Sequence, residues 1–505
     1  MRTSDTKPGD SPTPAAQRGR NRATARKGSP FKKGRPFTQG PALKKGLLAA
    51  VPAFFVFFAL WTFLSSWERF NTEPAPISGA ERALARSAWS VSGGPQARPW
   101  PDAPDLQRPS IAVPRFTASV RAASAILIDG SNGTVLFEKN ADALIPPASM
   151  TKLVAMYAAF RAMDSGELTL DEIIEPPEAS WAERIPPHSS LMFLGKGQRL
   201  SIDELLRGMA VVSGNDAAVA LAIRVSGSVE GFVARMNGEM GALGLTGTRF
   251  AEPSGLSEKN LTTAREFADF AKTYVAAYPQ ALARYHSVTA FTYPEAHNLP
   301  APGAGSTNTN PILAGLVPIS QRATNPLLGA LEGCDGLKTG YIDESGYNLS
   351  LTAERNGTRF ISVTLGGPGD GVAEGNRFRQ EDGRALMEWA FQNWKTERVD
   401  GDIGFPVVVW GGRAGRIFAI AAGGEPLTVP KASKGPYLAR ARLPAAVRAP
   451  VQAGDELGTV EWVDSTGTVV ASRSAIADRN SPTAGITARI GDAALRGAAG
   501  LMGLE

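Results

Sequence analysis

The 505-residue chain has one cysteine, Cys334, and three histidines, His188, His286 and His297. With one cysteine no disulfide can close within the chain, so cysteine usage does not decide the redox compartment. No histidine lies near Cys334 in sequence, so a Cys–His nucleophile is not indicated and Cys334 reads as a small buried thiol. No metal site or cofactor is expected. The folded part also lacks a basic surplus. Of 53 Lys+Arg and 48 Asp+Glu, residues 1–45 hold twelve basic and two acidic, leaving 41 against 46 in the rest. Phosphate binding needs a basic face, so nucleic acid is not expected as a partner. The composition, 43% hydrophobic and 20% charged, is that of a globular protein with room for two or three domains.

A different absence marks residues 46–67, "GLLAAVPAFFVFFALWTFLSSW", which carry no charge. A helix of that length spans the hydrocarbon core of a bilayer. Lys44 and Lys45 precede it, Glu68 follows, and Trp61 and Trp67 stand toward its far end. Positive flanks stay inside and amphipathic rings favour the interface. The pattern predicts a single-pass inner-membrane anchor at 46–67, with the body in the periplasm. A cleaved signal peptide is the alternative. No small-x-small site follows the apolar run, which favours an uncleaved anchor.

The rest divides by texture. Residues 1–45, rich in Pro, Gly, Ser and Arg, predict a disordered cytoplasmic tail. Residues 68–115 are Pro- and Ala-rich and read as a spacer. Residues 116–397 predict an α+β domain with a mainly antiparallel sheet. It opens with a hairpin, "SAILIDGSNGTVLFEK", turning at 130–133. "PPAS" is read as the cap of a helix from Ser149 to about Met163. "SIDELLRGMAVVSGNDAAVALAIRV" reads as two helices broken at Ser213-Gly214-Asn215. "TTAREFADFAKTYVAAY" is an amphipathic helix, and "GLKTGY", "YNLSLTAER" and "RFISVTLGG" are strands. "EDGRALMEWAFQNW" closes as a helix. From 398 to 485 short apolar stretches alternate with Gly, Pro and Asp, predicting a small all-β C-terminal domain. Residues 486–505 form a C-terminal tail that could carry a weak amphipathic helix, diluted by glycine.

The chemistry centres on "PPASMTKL", 146–153. A serine hydroxyl needs a base, and no histidine can be tied to Ser149. Lys152, one helical turn on, shares its face. A free lysine is too basic to serve near neutral pH, with a pKa of about 10.4. Burial or a second cation must lower it. "DGLKTGY" offers that cation, Lys338, with Thr339 as a hydroxyl donor and Gly340 allowing close approach to the backbone. "VVSGNDA" offers Ser213 for proton relay and Asn215 to orient a substrate. Each triplet alone is as easily a surface helix, a turn or a strand end. Ser-x-x-Lys, Ser-x-Asn and Lys-Thr-Gly in this order and context form the set of penicillin-binding proteins and serine β-lactamases.

With "DGSNGTVLFEKNADALIPPASMTKL", "LLRGMAVVSGNDAAVALA" and "GLKTGYIDESGYNLSLTAERNGTRFISVTLGG", the chain resembles the low-molecular-mass penicillin-binding proteins that are D-alanyl-D-alanine carboxypeptidases. The resemblance runs from about 124 to 394, and "APVQAGDELGTVEW" extends it into the β-rich segment. It implies the transpeptidase fold shared with serine β-lactamases. The implied substrate is the peptidoglycan stem peptide, and β-lactam antibiotics are the implied inhibitors. Ser149 is then the acyl-enzyme nucleophile and Lys152 its base. Ser213 and Asn215 line the second wall, with Ser213 in proton transfer. Lys338, Thr339 and Gly340 bind substrate, and Lys338 depresses the pKa of Lys152. The backbone N–H groups of Ser149 and Tyr341 form the oxyanion hole. Arg379 fits the carboxylate-site arginine, with Arg377 as its rival, both read on an extended segment. Three departures stand out. Thr324 occupies a position where many relatives have arginine, Arg322 lying two residues earlier. His188 stands where glycine is usual. The C-terminal membrane helix is degraded, as if anchoring had moved to the other end. A D,D-endopeptidase, a serine β-lactamase and a non-catalytic wall-binding protein are the alternatives. Against the β-lactamase, the chain shows no evident glutamate-bearing loop to activate a deacylating water, and the non-catalytic reading would require a lost catalytic residue.

Overall fold

The hairpin predicted at the start of the body forms one edge of a sheet and the strand next to it. In a computed structural model, residues 42–71, 106, 111–301, 308–399, 404–422 and 426–501 are described, the side chains of 42–54 and 498–501 excepted. Strand β1 (Ser124–Asp129) pairs antiparallel with β2 (Val135–Lys139). Gly133, at φ +76°, closes the turn and its N–H donates to the Asp129 carbonyl at 2.9 Å. Three later strands, β3 (Cys334–Ile342), β4 (Gly346–Arg355) and β5 (Thr358–Gly367), complete an antiparallel sheet in the order β2-β1-β5-β4-β3. β3, which carries Lys-Thr-Gly, is an edge strand.

The two faces of this sheet follow the period of two along β1. Ile126 and Ile128 enter one core with Ile361, Val363 and the helix Ala264–Ala277. Ala125 and Leu127 enter another with Leu349, Leu351, Phe360 and the helix Val372–Asn393. Helices therefore cover both faces, and β1 is buried along its whole length.

In chain order the helices are α1 (Ala42–Asn71), α2 (Thr151–Asp164), α3 (Ile202–Val211), α4 (Asn215–Ser226), α5 (Val229–Ala242), α6 (Ala264–Ala277), α7 (Val372–Asn393) and α8 (Ile486–Leu501). Several begin as their sequence dictates. Ser201 and Glu204 form a capping box on α3, and the Thr263 side chain accepts from the Glu266 N–H at the start of α6. The expected cap at "PPAS" is absent. Ala148–Met150 form a 3-10 turn that runs directly into α2, with no side-chain cap. The last helix of the domain begins at Val372, earlier than "EDGRALMEWAFQNW" suggested, so Arg377 and Arg379 are helical rather than extended. Gly371, at φ +88°, ends the preceding loop and lets the helix start there.

The chain divides into two units, Met1–Leu60 and Trp61–Glu505. Among the described residues no single helix is long and apolar enough to cross a membrane. The apolar run 46–67 lies only partly among residues whose side chains are described. The spacer begins later than expected, because α1 continues through Glu68 and Arg69 to Asn71. The tail expected at 1–45 and the spacer at 68–115 fall mostly outside the described residues.

The C-terminal β module is present as a six-stranded sheet between 404 and 477. Its core includes Val407, Val409, Ile417, Val460 and Trp462. It is not joined by a plain linker. Trp394–Glu397, just after α7, pairs with Leu427–Pro430 of the module. The buried Asp129 carboxylate, at the end of β1, accepts from Thr396 Oγ1 at 2.7 Å and Thr428 Oγ1 at 2.8 Å. It also accepts from the Ser131 N–H and hydroxyl. Asn132 Nδ2 adds a bond to the Pro426 carbonyl at 2.9 Å. Removing Asp129 strands several donors at once. Asp129→Ala should lose about 2–3 kcal/mol of stability in urea unfolding and speed proteolysis near residues 398–404. An unchanged midpoint and cleavage pattern would show that the hairpin turn does not hold the module.

Candidate active site

Ser149 lies in the 3-10 turn and Lys152 is the second residue of α2, so the turn brings hydroxyl and amine to one side. Lys152 Nζ lies 3.1 Å from Ser149 Oγ. The same amine donates to Asn215 Oδ1 and to the Ser254 carbonyl, both at 2.6 Å. It has no exposed surface. Burial lowers its pKa to about 7, against the opposing pull of Glu252 and then Asp216. An amine poised there exchanges a proton near neutrality, which an exposed lysine does not.

The turn is held in an uncommon backbone shape. Ala148 has φ +50°, in the left-handed region that L-residues avoid. Two glycines press against it. A Cβ on Gly255, itself at φ +92°, would come 2.0 Å from the Ala148 carbonyl oxygen. A Cβ on Gly340 would come 2.4 Å from the Pro147 carbonyl oxygen and 3.2 Å from the Ser149 nitrogen. The glycine of Lys-Thr-Gly is therefore required by the close approach of β3 to the serine turn.

The second wall is the break between α3 and α4. Ser213 has φ +61°, and its buried hydroxyl finds no partner among the described residues. Asn215 opens α4 and reaches Lys152. The next residue, Asp216, is buried and accepts from the backbone N–H groups of Met192, Phe193 and Leu194. Burial raises its pKa, and those hydrogen bonds oppose the rise. The segment carrying His188 is thus tied to the Ser-x-Asn turn. His188 adopts φ +63°, which fits a position where glycine is usual.

Lys338, on β3, is buried and donates to the Thr339 carbonyl at 3.0 Å. Its pKa is driven well below the lysine range by burial first, then by Lys152 and Arg379. Burial is the leading cause at both amines, and Lys338 and Lys152 face each other as like charges when both are protonated. Thr339 is buried beside it, while the Tyr341 ring is 45% exposed and its hydroxyl donates to Asp343 at 2.6 Å.

The two arginines separate clearly. Arg379 is buried on α7, Nη1 lies 3.4 Å from the Gly340 carbonyl, and Nε has no partner among the described residues. Burial lowers its pKa to about 10. Arg377 is exposed and paired with Glu374 and Glu381. Arg379 is the one beside Lys-Thr-Gly. Arg322 is exposed at a strand end, and the Thr324 N–H donates to the Val211 carbonyl at 3.0 Å. Cys334 is half-buried and its pKa is raised to about 11 by burial, so it is a poor nucleophile.

Two groups near the site escaped the sequence reading. His286 is buried against β3, where a Cβ on Gly336 would meet its own Cβ at 2.9 Å. Its Nε2 lies 2.7 Å from Tyr274 Oη, and its pKa falls to about 3, through burial and then Lys338. Nothing in "LARYH" signals this, because the contact is made by a distant strand. Glu252 was the other. Its signal was the turn-forming "EPSG", which has no motif attached to it.

The arrangement is a hydroxyl against an amine of lowered pKa, with a second buried lysine and the buried Arg379 guanidinium beside β3. Known proteins resemble the chain in sequence. Residues 110–369 match the family described as D-alanyl-D-alanine carboxypeptidase, peptidase S11. The D-alanyl-D-alanine carboxypeptidase DacC of Escherichia coli strain K12 is 31% identical over 381 residues, 74% of this chain and 88% of that protein. DacF of Bacillus subtilis strain 168 is 30% identical over 369 residues, 72% of this chain and 87% of that protein. Among solved structures, penicillin-binding protein 5 from Haemophilus influenzae superposes with a TM-score of 0.59 at 27% identity, covering 73% of this chain and all of its own. These matches and the geometry of the serine turn lead to one conclusion: the chain belongs to the D-alanyl-D-alanine carboxypeptidase family of low-molecular-mass penicillin-binding proteins.

Proposed function

We propose that the chain removes the terminal D-alanine from peptidoglycan pentapeptide stems through an acyl-enzyme on Ser149. The observation that carries this is the buried Lys152 amine, 3.1 Å from Ser149 Oγ and with its pKa lowered to about 7. When neutral, the amine donates to Asn215 and Ser254 and keeps its lone pair for the Ser149 proton. Ser149 Oγ attacks the carbonyl carbon of the penultimate D-alanine, and Lys152 takes the hydroxyl proton. The N–H groups of Ser149 and Tyr341 stabilise the developing oxyanion. The C–N bond breaks, and the leaving D-alanine nitrogen receives a proton relayed through Ser213. Water then attacks the ester, with Lys152 again taking the proton, and frees the shortened stem and Ser149.

Lys338, Thr339 and Arg379 would take the substrate's terminal carboxylate. An incoming anion would favour the charged form of Lys338 against burial. The free edge of β3 suits an extended peptide adding as a strand. β-Lactams would acylate the same serine, with the leaving nitrogen still tethered in the opened ring. The β-lactamase alternative needs a carboxylate free to activate water. Glu252, the acidic group acting most strongly on Lys152, has both oxygens occupied by N–H and O–H donors. The β-rich C-terminal module favours the carboxypeptidase over the endopeptidase reading.

We also propose that residues 46–67 anchor the chain in the inner membrane with the body outside the cytoplasm. The support is the uncharged run behind Lys44 and Lys45. Protease added to spheroplasts should digest the body and leave a small protected fragment. A protected body would refute this topology.

Two measurements test the chemistry. Incubation with penicillin should add one adduct to the intact mass, absent in Ser149→Ala. An adduct on that variant would rule out Ser149 as nucleophile. The acylation rate should rise through about pH 7, because Lys152 is a base only when unprotonated. Lys152→Ala should lose acylation by about a thousandfold or more across the range. Lys338→Ala should weaken binding and move that acid limb to higher pH, because a like charge beside Lys152 is lost. An unmoved limb would show that Lys338 does not depress Lys152.

A further inference from the structure

We propose that Glu252 is a positioning residue for acylation: its carboxylate folds the 252–257 turn that holds the Lys152 amine against Ser149. This rests on the reading of Lys152 as the base. Five donors converge on this carboxylate. Oε2 accepts from the Ser254 N–H at 2.7 Å and the Ser254 hydroxyl at 2.5 Å. Oε1 accepts from the Gly255 N–H at 2.6 Å, Asn260 Nδ2 at 2.8 Å and the Ser257 N–H at 3.3 Å. Only an acceptor-only group with two oxygens satisfies such a set. A glutamine would set its own N–H groups against one side of it.

The turn so formed touches the catalytic pair at two points. The Ser254 carbonyl receives Lys152 Nζ at 2.6 Å. Gly255, forced to φ +92° within the turn, is the residue pressed against Ala148 and the Ser149 nitrogen. Asn260 ties the turn to α2 as well, its Nδ2 lying 3.2 Å from Thr151 Oγ1. One carboxylate therefore sets an acceptor for the amine and a wall for the nucleophile's turn.

The charge has its own effect. The groups facing Lys152 are Glu252 from this turn, Asp216 from α4 and Lys338 from β3, with Arg379 behind Lys338. Glu252 leads the two carboxylates that raise the amine's pKa against burial. Without it Lys152 would lose its proton at lower pH and would be a weaker base when it did. Geometry and charge can be separated by substitution. Glu252→Asp keeps the charge on a shorter arm. Glu252→Gln keeps the arm and removes the charge.

The test is the acylation rate by fluorescent penicillin from pH 5 to 9, using the full chain in detergent. In Glu252→Gln the acid limb should move down by about one pH unit, and the plateau should fall roughly tenfold or more. Glu252→Asp should also lower the plateau but keep the wild-type limb. A Gln limb at the wild-type pH would overturn the proposal, since a merely structural loss lowers the plateau alone. If Glu252→Gln does not fold, an Asp limb displaced from wild type overturns it equally. Failure of the underlying reading looks different: wild type would then acylate with no limb near pH 7, or Lys152→Ala would still acylate.

Discussion

Burying one amine is the constraint on which this site depends. An ammonium withdrawn from water loses its hydration, a cost the protein meets by giving up the proton and by supplying acceptors at fixed positions. Lys152 has three such positions, on its own turn, on the start of α4 and on the 252–257 turn. They come from segments up to about a hundred residues apart in sequence. A lysine on an exposed helix with the same Ser-x-x-Lys spacing would remain protonated and inert. Burial turns a common spacing into chemistry.

The strained serine turn is the second consequence of that packing. Ala148 is held in the left-handed region by neighbours that leave no room for relaxation, and both contacts are made by glycine. The edge strand β3 and the Gly255 turn therefore both press on the turn that carries the nucleophile. Lys338, carried on the same strand two residues before Gly340, arrives in the site because Gly340 must lie against the serine turn. Binding group and nucleophile are thus fixed by one close approach rather than by independent contacts.

The two buried lysines share a leading cause and differ in the charges around them. Burial lowers both, but Lys152 faces Glu252 and Asp216, whereas Lys338 faces Lys152 and Arg379. The carboxylates oppose burial at the first amine, and the cations add to burial at the second. Such an arrangement suits a base that must exchange a proton in every cycle. It equally suits a binding group that an anionic substrate would stabilise in its charged form. The C-terminal module stands apart from this chemistry, yet its Leu427–Pro430 strand and Thr428 lock onto the turn that begins the catalytic sheet.

Much of this could be read along the chain because the signals are local. The hairpin at 130–133, the capped α3, the break at Ser213 and the alternating strands all follow from periodicity and turn chemistry within a few residues. The order of the three triplets named the family, and the longer stretches around them carried the resemblance. Spacing within a helical turn was enough to join Ser149 to Lys152. Other features are non-local. Whether Arg377 or Arg379 faces the substrate side depends on α7 being a helix and on which of its faces meets β3. The left-handed turn at Ala148, the burial of His286 and the five donors on Glu252 all arise where distant segments meet. The source of the Lys152 shift is of the same kind, because desolvation belongs to the surroundings and not to the residue. The sequence alone determined which groups are available and the order in which they come. The tertiary structure decided their charge, because only packing determines how much water each one loses.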